Sequence, residues 1–154
     1  ELPMDCTFVF TVQEEVGTRG AFGAAFSVEP EIALVLDGTP AGDVPSIAEH
    51  RQGCSLGKGP VLAFMDSGTI YDRELFERLR KIAEENAVNW QLKQDTAGTT
   101  DASAVQRSKA GVRVCSVSLP IRYPHTPAGI ACIRDFEDML RLVTLFLNDL
   151  ALDA

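Results

Sequence analysis

Apolar and polar positions along the chain follow two rhythms, and the switches between them predict the elements. Cys6-Thr7-Phe8-Val9-Phe10-Thr11-Val12 is β-branched and aromatic with no polar face, the composition of a strand buried on both sides. Ile32-Ala33-Leu34-Val35-Leu36-Asp37 repeats the pattern, and the loop residues from Thr39 to Pro45 put its end at or near Asp37. Val61 to Met65 is a third, short strand, Asn89 to Leu92 a shorter one, and Val112 to Leu119 a longer one. Helical spacing takes over from Asp72 to Ala87, where Leu75, Phe76, Leu79, Ile82 and Ala83 share a face opposite Arg and Glu, and Asp72 stands where a cap is needed. Arg134 to Leu150 is a second amphipathic helix, with Phe136, Met139, Leu140, Val143, Phe146 and Leu147 expected to face inward. Two weaker helical patterns run from Thr18 to Phe26, with phenylalanines four apart among small residues, and from Asp101 to Ala110, with Thr100 or Asp101 as N-cap. Trp90 and Phe136 are read as core.

Strands and helices alternating at short spacing define the class as α/β, with a mainly parallel sheet covered by helices on both faces as a three-layer sandwich. A chain of 154 residues can bury enough surface to fold without disulfides or a structural metal. No apolar run reaches the roughly 20 residues of a membrane span. Fourteen basic against 22 acidic side chains give a net charge of -8, which argues against nucleic acid or an anionic membrane as partner, since both need a basic footprint. Cys6, Cys54, Cys115 and Cys132 form no C-x-x-C pair, and Cys6 and Cys115 sit in apolar runs where buried thiols are common, so a reducing cytoplasm is expected. The chain opens on Glu1 with a strand pattern already under way at Cys6, as if it began partway through a larger protein.

Ligands of parallel sheets gather at the carboxyl ends of the strands, and that rule selects Glu14-Glu15, Asp37, Asp66-Ser67 and the Arg122-Tyr123-Pro124-His125 segment. Two adjacent acids after an apolar strand repel each other and call for a positive neighbour, which a metal would supply. Glu, Asp and His together are the ligand set of zinc, cobalt or manganese hydrolases. Neighbouring side chains of an extended segment point to opposite sides, so one glutamate can ligate while the other accepts a proton from water. Asp66 and Asp72 are read as strand terminator and helix cap, and His50 as an exposed loop residue. Gly57-Lys58-Gly59-Pro60 is a turn, because Pro60 leads into a strand where a phosphate loop would lead into a helix.

The segment Phe8-Val9-Phe10-Thr11-Val12-Gln13-Glu14-Glu15-Val16-Gly17-Thr18-Arg19-Gly20-Ala21 resembles the signature of the tetrahedral, or glutamyl and deblocking, aminopeptidases, cobalt- or zinc-dependent metallopeptidases. Four further blocks agree in order: Leu36 to Pro45, Leu56 to Pro60, Thr100-Asp101-Ala102 with Gln106, and Arg122 to Pro127. The resemblance implies Glu14 as general base, Glu15 and His125 as ligands of one metal, and Asp37 as a ligand of the other. It implies peptide substrates and dimers that assemble into hollow dodecamers. It also implies that residues 1–154 are the C-terminal segment of the catalytic domain, since the family's bridging Asp, a further His and a PDZ-like dimerisation insert would all lie upstream of Glu1. The chain departs from the family where Gly98-Thr99-Thr100-Asp101 stands for Gly-Gly-Thr-Asp, and where Gly129 stands for a Glu four residues past the ligand His. Asp101 lines the substrate cleft by the same resemblance, although an N-cap explains it equally well. Two competing functions follow. A glycosidase would use Glu14 and Glu15, but its carboxyls must face each other across a sugar about 5 Å or more apart, which sequence neighbours on opposite sides of a strand cannot do. An interaction-only domain that keeps the fold without the bridging ligand is the alternative from another class.

Overall fold

A computed structural model describes residues 4–152. Four helices, α1 (Arg19–Val28), α2 (Arg73–Glu85), α3 (Ala102–Gln106) and α4 (Ile133–Leu150), pack on five strands. These are β1 (Ile32–Pro40), β2 (Val61–Leu62), β3 (Gln91–Leu92), β4 (Arg113–Arg122) and β5 (Ile130–Ala131). The sheet runs in the order β1-β4-β2-β3, with β5 also paired to β4. Its spine is the parallel pair β1 and β4, in register from Ile32 opposite Arg113 to Pro40 opposite Ile121. β2 and β3 are also parallel, whereas β2 and β5 each run antiparallel to β4, so the sheet is mixed.

Side chains of β4 alternate between two cores, as the pleat requires. Cys115 and Val117 join Leu75, Phe76, Leu79, Ile82, Met139, Leu142 and Phe146 beneath α2 and α4. Val114 joins Ala21, Ala25, Ala102, Ala104 and Val105 beneath α1 and α3, where small residues let the helices lie close to the sheet. The three layers expected from the alternation are therefore present. Asp72 caps α2 as expected, accepting from the Leu75 N–H at 3.0 Å, and it also takes the Arg113 guanidinium at 2.8 Å.

Several expectations are corrected. Cys6 to Val12 is not a strand: a strand needs a neighbour's backbone, and among the described residues none pairs with it. Phe8 and Phe10 are 72% and 95% exposed, and Cys6 is exposed with them. β1 does not stop at Asp37 but continues to Pro40, because β4 runs on to Arg122 and offers a partner. The strand expected from Val61 to Met65 narrows to Val61–Leu62 before the chain turns through a Met65 to Ile70 bridge. Within that turn Asp66 is a buried acceptor for the Tyr71 hydroxyl at 2.7 Å and the Gly68 N–H at 2.8 Å, which is more than a strand terminator. α3 ends at Gln106, short of Ala110, where the chain enters a turn with Lys109 and Gly111 at positive φ.

The largest correction concerns α4. Phe136 and Leu140 were expected inside and are exposed, while Asp135, Met139, Leu142 and Phe146 are buried. Asp135 sets this rotation: only 1% exposed, its two oxygens accept the Gly57 and Gly59 N–H groups, each at 2.8 Å. Burying this carboxylate is possible because both its oxygens take charge-assisted backbone bonds, and the rotation that keeps them turns Phe136 and Leu140 to solvent. The Gly57 to Pro60 segment is the expected turn, held from below by α4.

Candidate active site

The two glutamates sit on a tight loop leading into α1. Gln13 and Thr18 adopt left-handed φ of 61° and 52°, and Gly17 lies at 109° between the acids and the helix. Each left-handed non-glycine residue costs roughly 1–2 kcal/mol, so the loop must be held by bonds. The Glu14 carbonyl accepts from Gly17 N–H at 3.0 Å and Thr18 N–H at 2.8 Å, and the Val12 carbonyl accepts from Gly20 N–H at 3.0 Å. A side chain at Gly20 would place its first carbon 2.5 Å from the Val12 oxygen, so only glycine permits this approach.

Glu15 reaches across to His125, beyond the end of β4, with Oε1 3.1 Å from Nε2. Tyr123 and His125 are themselves left-handed, both at φ 58°. Both segments that meet here thus store backbone strain, which concentrates at functional sites. Asp37 lies in the carboxyl half of β1, opposite Ser118, with Oδ1 accepting from Gly38 N–H at 2.7 Å. Of the four residues selected from the sequence, Glu15 and His125 are in direct contact, and Glu14 and Asp37 lie where the charges of Glu15 and His125 act on them. Burial chiefly raises the proton affinity of the Glu14 carboxyl above the ordinary glutamate range, and the negative charges of Asp37, Glu15 and Asp101 add to the effect. Asp37 is raised in the same way, mainly by burial and then by Asp101 and Glu15, against the opposing Gly38 N–H and His125.

Asp101 is the member of this group that sequence reasoning left undecided. It is 8% exposed, and its Oδ2 accepts from the Thr11 hydroxyl at 2.6 Å. Its side chain does not cap α3. The Thr100 hydroxyl accepts the Ala102 N–H instead, at 3.2 Å. Two adjacent cap-forming residues before one helix were the available signal, since one cap leaves the other residue free for different work.

The donors have the chemistry of a divalent cation site, with carboxylates in excess over a single imidazole. Their number falls short: among the described residues no three of His, Cys, Asp or Glu stand close enough together to hold one ion. Asp66 belongs to the separate buried contact with Tyr71, and His50 is exposed on the 3-10 turn Glu49–Arg51, so neither joins the cluster. No helix among the described residues is long and apolar enough to cross a membrane.

Three layers, with acids and an imidazole gathered near the carboxyl ends of a parallel strand pair, define an α/β domain of the kind that holds its chemistry at that sheet edge. The family model for M42 glutamyl aminopeptidases matches residues 1–142, and the chain belongs to that family. The resemblance read from the glutamate loop and the later blocks is thereby established. A putative aminopeptidase of Acetivibrio thermocellus is 37% identical over 136 residues, which are 88% of this chain and 41% of that protein. An aminopeptidase structure from Desulfurococcus kamchatkensis superposes with a TM-score of 0.87 at 37% identity, over 90% of this chain and 39% of that one. The TET1 peptidase of Pyrococcus horikoshii, described as assembling into a tetrahedron or a large octahedral shell, matches with a TM-score of 0.73 at 35% identity, over 90% and 39%. The chain spans about two fifths of the length of the relatives it matches.

Proposed function

We propose that this chain is the C-terminal segment of the catalytic domain of a metal-dependent aminopeptidase, which removes N-terminal residues from peptides. The observation that carries the reading is the meeting of Glu15 with His125, in an acid cluster with Glu14 and Asp37, on a fold shared with aminopeptidases. Glu15, Asp37 and His125 are the ligands this chain contributes to two divalent ions, zinc or cobalt. The remaining ligands that the family resemblance implies would come from residues outside it. Bound metal supplies Lewis acidity toward the scissile carbonyl. Glu14 acts as general base: it takes a proton from the attacking water and passes it to the leaving amine. The full-length protein forms a homo-oligomer, by analogy with the shells described for TET1, built from dimers as the family resemblance implies, and works in the cytoplasm, as its unpaired cysteines suit.

The test uses the full-length gene product, assayed for release of N-terminal residues from peptides alongside metal analysis. Glu14→Gln is expected to lower kcat by about a hundredfold or more while metal content stays unchanged, the scale on which a general base contributes. Glu15→Gln is expected to lower metal occupancy. Equal metal loss in both variants refutes the division of roles.

For this chain alone, the shortfall of donors among the described residues favours a second reading, a segment without turnover. Catalytic zinc normally has three protein ligands and a water. Calorimetric titration of this chain with zinc or cobalt should therefore show weak binding, and an assay on aminoacyl substrates no activity. Two-site micromolar binding with turnover would defeat that expectation.

A further inference from the structure

We propose that Arg122 and Asp43 form a clamp, in which Arg122 is a positioning residue that sets the turn bearing His125 against the end of the strand bearing Asp37. What His125 and Asp37 do there rests on the aminopeptidase reading above, whereas the clamp itself is read from contacts. Arg122 Nε and Nη2 donate to the two oxygens of Asp43 at 2.8 and 2.7 Å, a planar fork that fixes orientation as well as distance. Arg122 ends β4 three residues before His125, and Asp43 lies six residues past Asp37, in the loop that leaves β1. The same carboxylate accepts from the Leu56 N–H at 3.0 Å, and the next amide, Gly57, is held by Asp135 of α4. Three of the blocks read from the sequence, Leu36 to Pro45, Leu56 to Pro60 and Arg122 to Pro127, thus meet at one side chain. Both oxygens of Asp43 are engaged within this chain and its side chain is 13% exposed, so chain packed around it in a longer protein finds these acceptors taken.

The turn beyond Arg122 is closed on itself. Thr126 Oγ1 donates to the Tyr123 carbonyl at 2.7 Å, and Tyr123 and His125 are both left-handed, so a change of direction at Arg122 is carried to His125 and not absorbed on the way. Three residues span at most about 10 Å, so His125 stays close to the clamp. The opposite end of β4 carries a second fork of the same kind: Arg113 Nε and Nη2 donate to Asp72 at 2.8 and 3.1 Å. That fork ties the first residue of the strand to the cap of α2, at the end away from the His125 turn. Both forks can secure a strand end. Only the Arg122 fork can direct His125.

The test compares Arg122→Lys with Arg113→Lys in the full-length protein, since each keeps the positive charge and loses the fork. Both should lower the unfolding midpoint slightly and to a similar extent. Arg122→Lys is expected to lower kcat about 10- to 100-fold with KM within about twofold, the signature of misplaced catalytic groups, while Arg113→Lys leaves both within about twofold. Asp43→Asn should behave as Arg122→Lys does, and the double variant should be no worse than the poorer single one, because both changes remove the same contact. Wild-type kcat in Arg122→Lys, equal losses in the two lysine variants, fully additive losses in the double variant, or a loss that follows a midpoint fallen well below that of Arg113→Lys would each overturn the proposal. Should the wild-type protein lack aminopeptidase turnover, the functional reading fails and amide exchange at Tyr123, His125 and Thr126 decides the rest. Faster exchange there in Arg122→Lys than in wild type and Arg113→Lys supports the clamp, and equal exchange overturns it.

Discussion

The layer formed by α2, β4 and α4 and the segment from Cys6 to Thr18 are built on opposite terms. In the first, Leu75, Leu79, Val117, Leu142 and Phe146 are almost wholly buried against one another. In the second, Phe8, Phe10 and Val12 face solvent, Gln13 and Thr18 are left-handed, and two adjacent acids repel. Among the described residues the apolar burial is concentrated in the layer, and the two adjacent glutamates are carried by the segment, which meets the rest of this chain through the Thr11–Asp101 and Gly20–Val12 bonds. Phe146→Ala tests the first half of this contrast and has the largest expected effect. It should cost about 3–5 kcal/mol, as deletion of a fully buried aromatic ring does, read as a lower urea midpoint at unchanged slope.

The acid cluster should show its own signature in pH, opposite in sign to that of the ion-paired acids. Asp37 and Glu14 bind protons more tightly in the folded chain than their ordinary values of 3.8 and 4.5. As pH rises through the window that begins there, the native state holds more protons than the unfolded one, so their contribution to stability falls and stays low at neutrality. Asp43 and Asp72 are held below 3.8 by hydrogen bonds from Arg122 and Arg113, so their contribution is present above that value and lost as pH falls. Asp37→Asn should therefore raise the unfolding midpoint at pH 7, with the gain shrinking toward pH 3. A gain independent of pH would mean that the charge of Asp37 is not what burial penalises.

The same contrast explains what could be read from the sequence. Elements that bury one face against neighbours within the chain were legible: α2 with its Asp72 cap, β1, β4 and α4 all lie where periodicity put them, to within a few residues. Asp37 and His125 could be selected because strand ends collect polar groups, and Glu14 and Glu15 because two adjacent acids call for a positive neighbour; the structure sets Glu15 beside His125. Two things were not legible. Cys6 to Val12 has the composition of a central strand, but composition specifies only that a strand is wanted; its formation depends on a partner, and none is among the described residues. The rotation of α4 is fixed by Asp135 binding the Gly57 and Gly59 amides, a polar contact across 76 to 78 residues that helical periodicity does not encode. Asp101 falls between these cases, since its identity suggested a cap and its neighbour Thr100 does the capping.

The smallest expected effect belongs to Phe10→Ser, and its smallness is informative. A ring that is 95% exposed has almost no burial to lose. The change in unfolding free energy should stay within about 0.5 kcal/mol, the range of surface substitutions. Phe8, Phe10 and Val12 nevertheless present adjacent apolar surface on a backbone without a strand neighbour among the described residues, and such surface promotes association. Removing the most exposed ring should therefore lower light scattering by concentrated solutions of this chain while its urea midpoint stays where it was. A loss above about 1 kcal/mol would place the ring in a core, and the segment would then have to count with the stabilising layer. An unchanged midpoint with reduced scattering keeps the two regions distinct: Phe146 acts within the fold, whereas Phe10 acts on what the chain meets outside it.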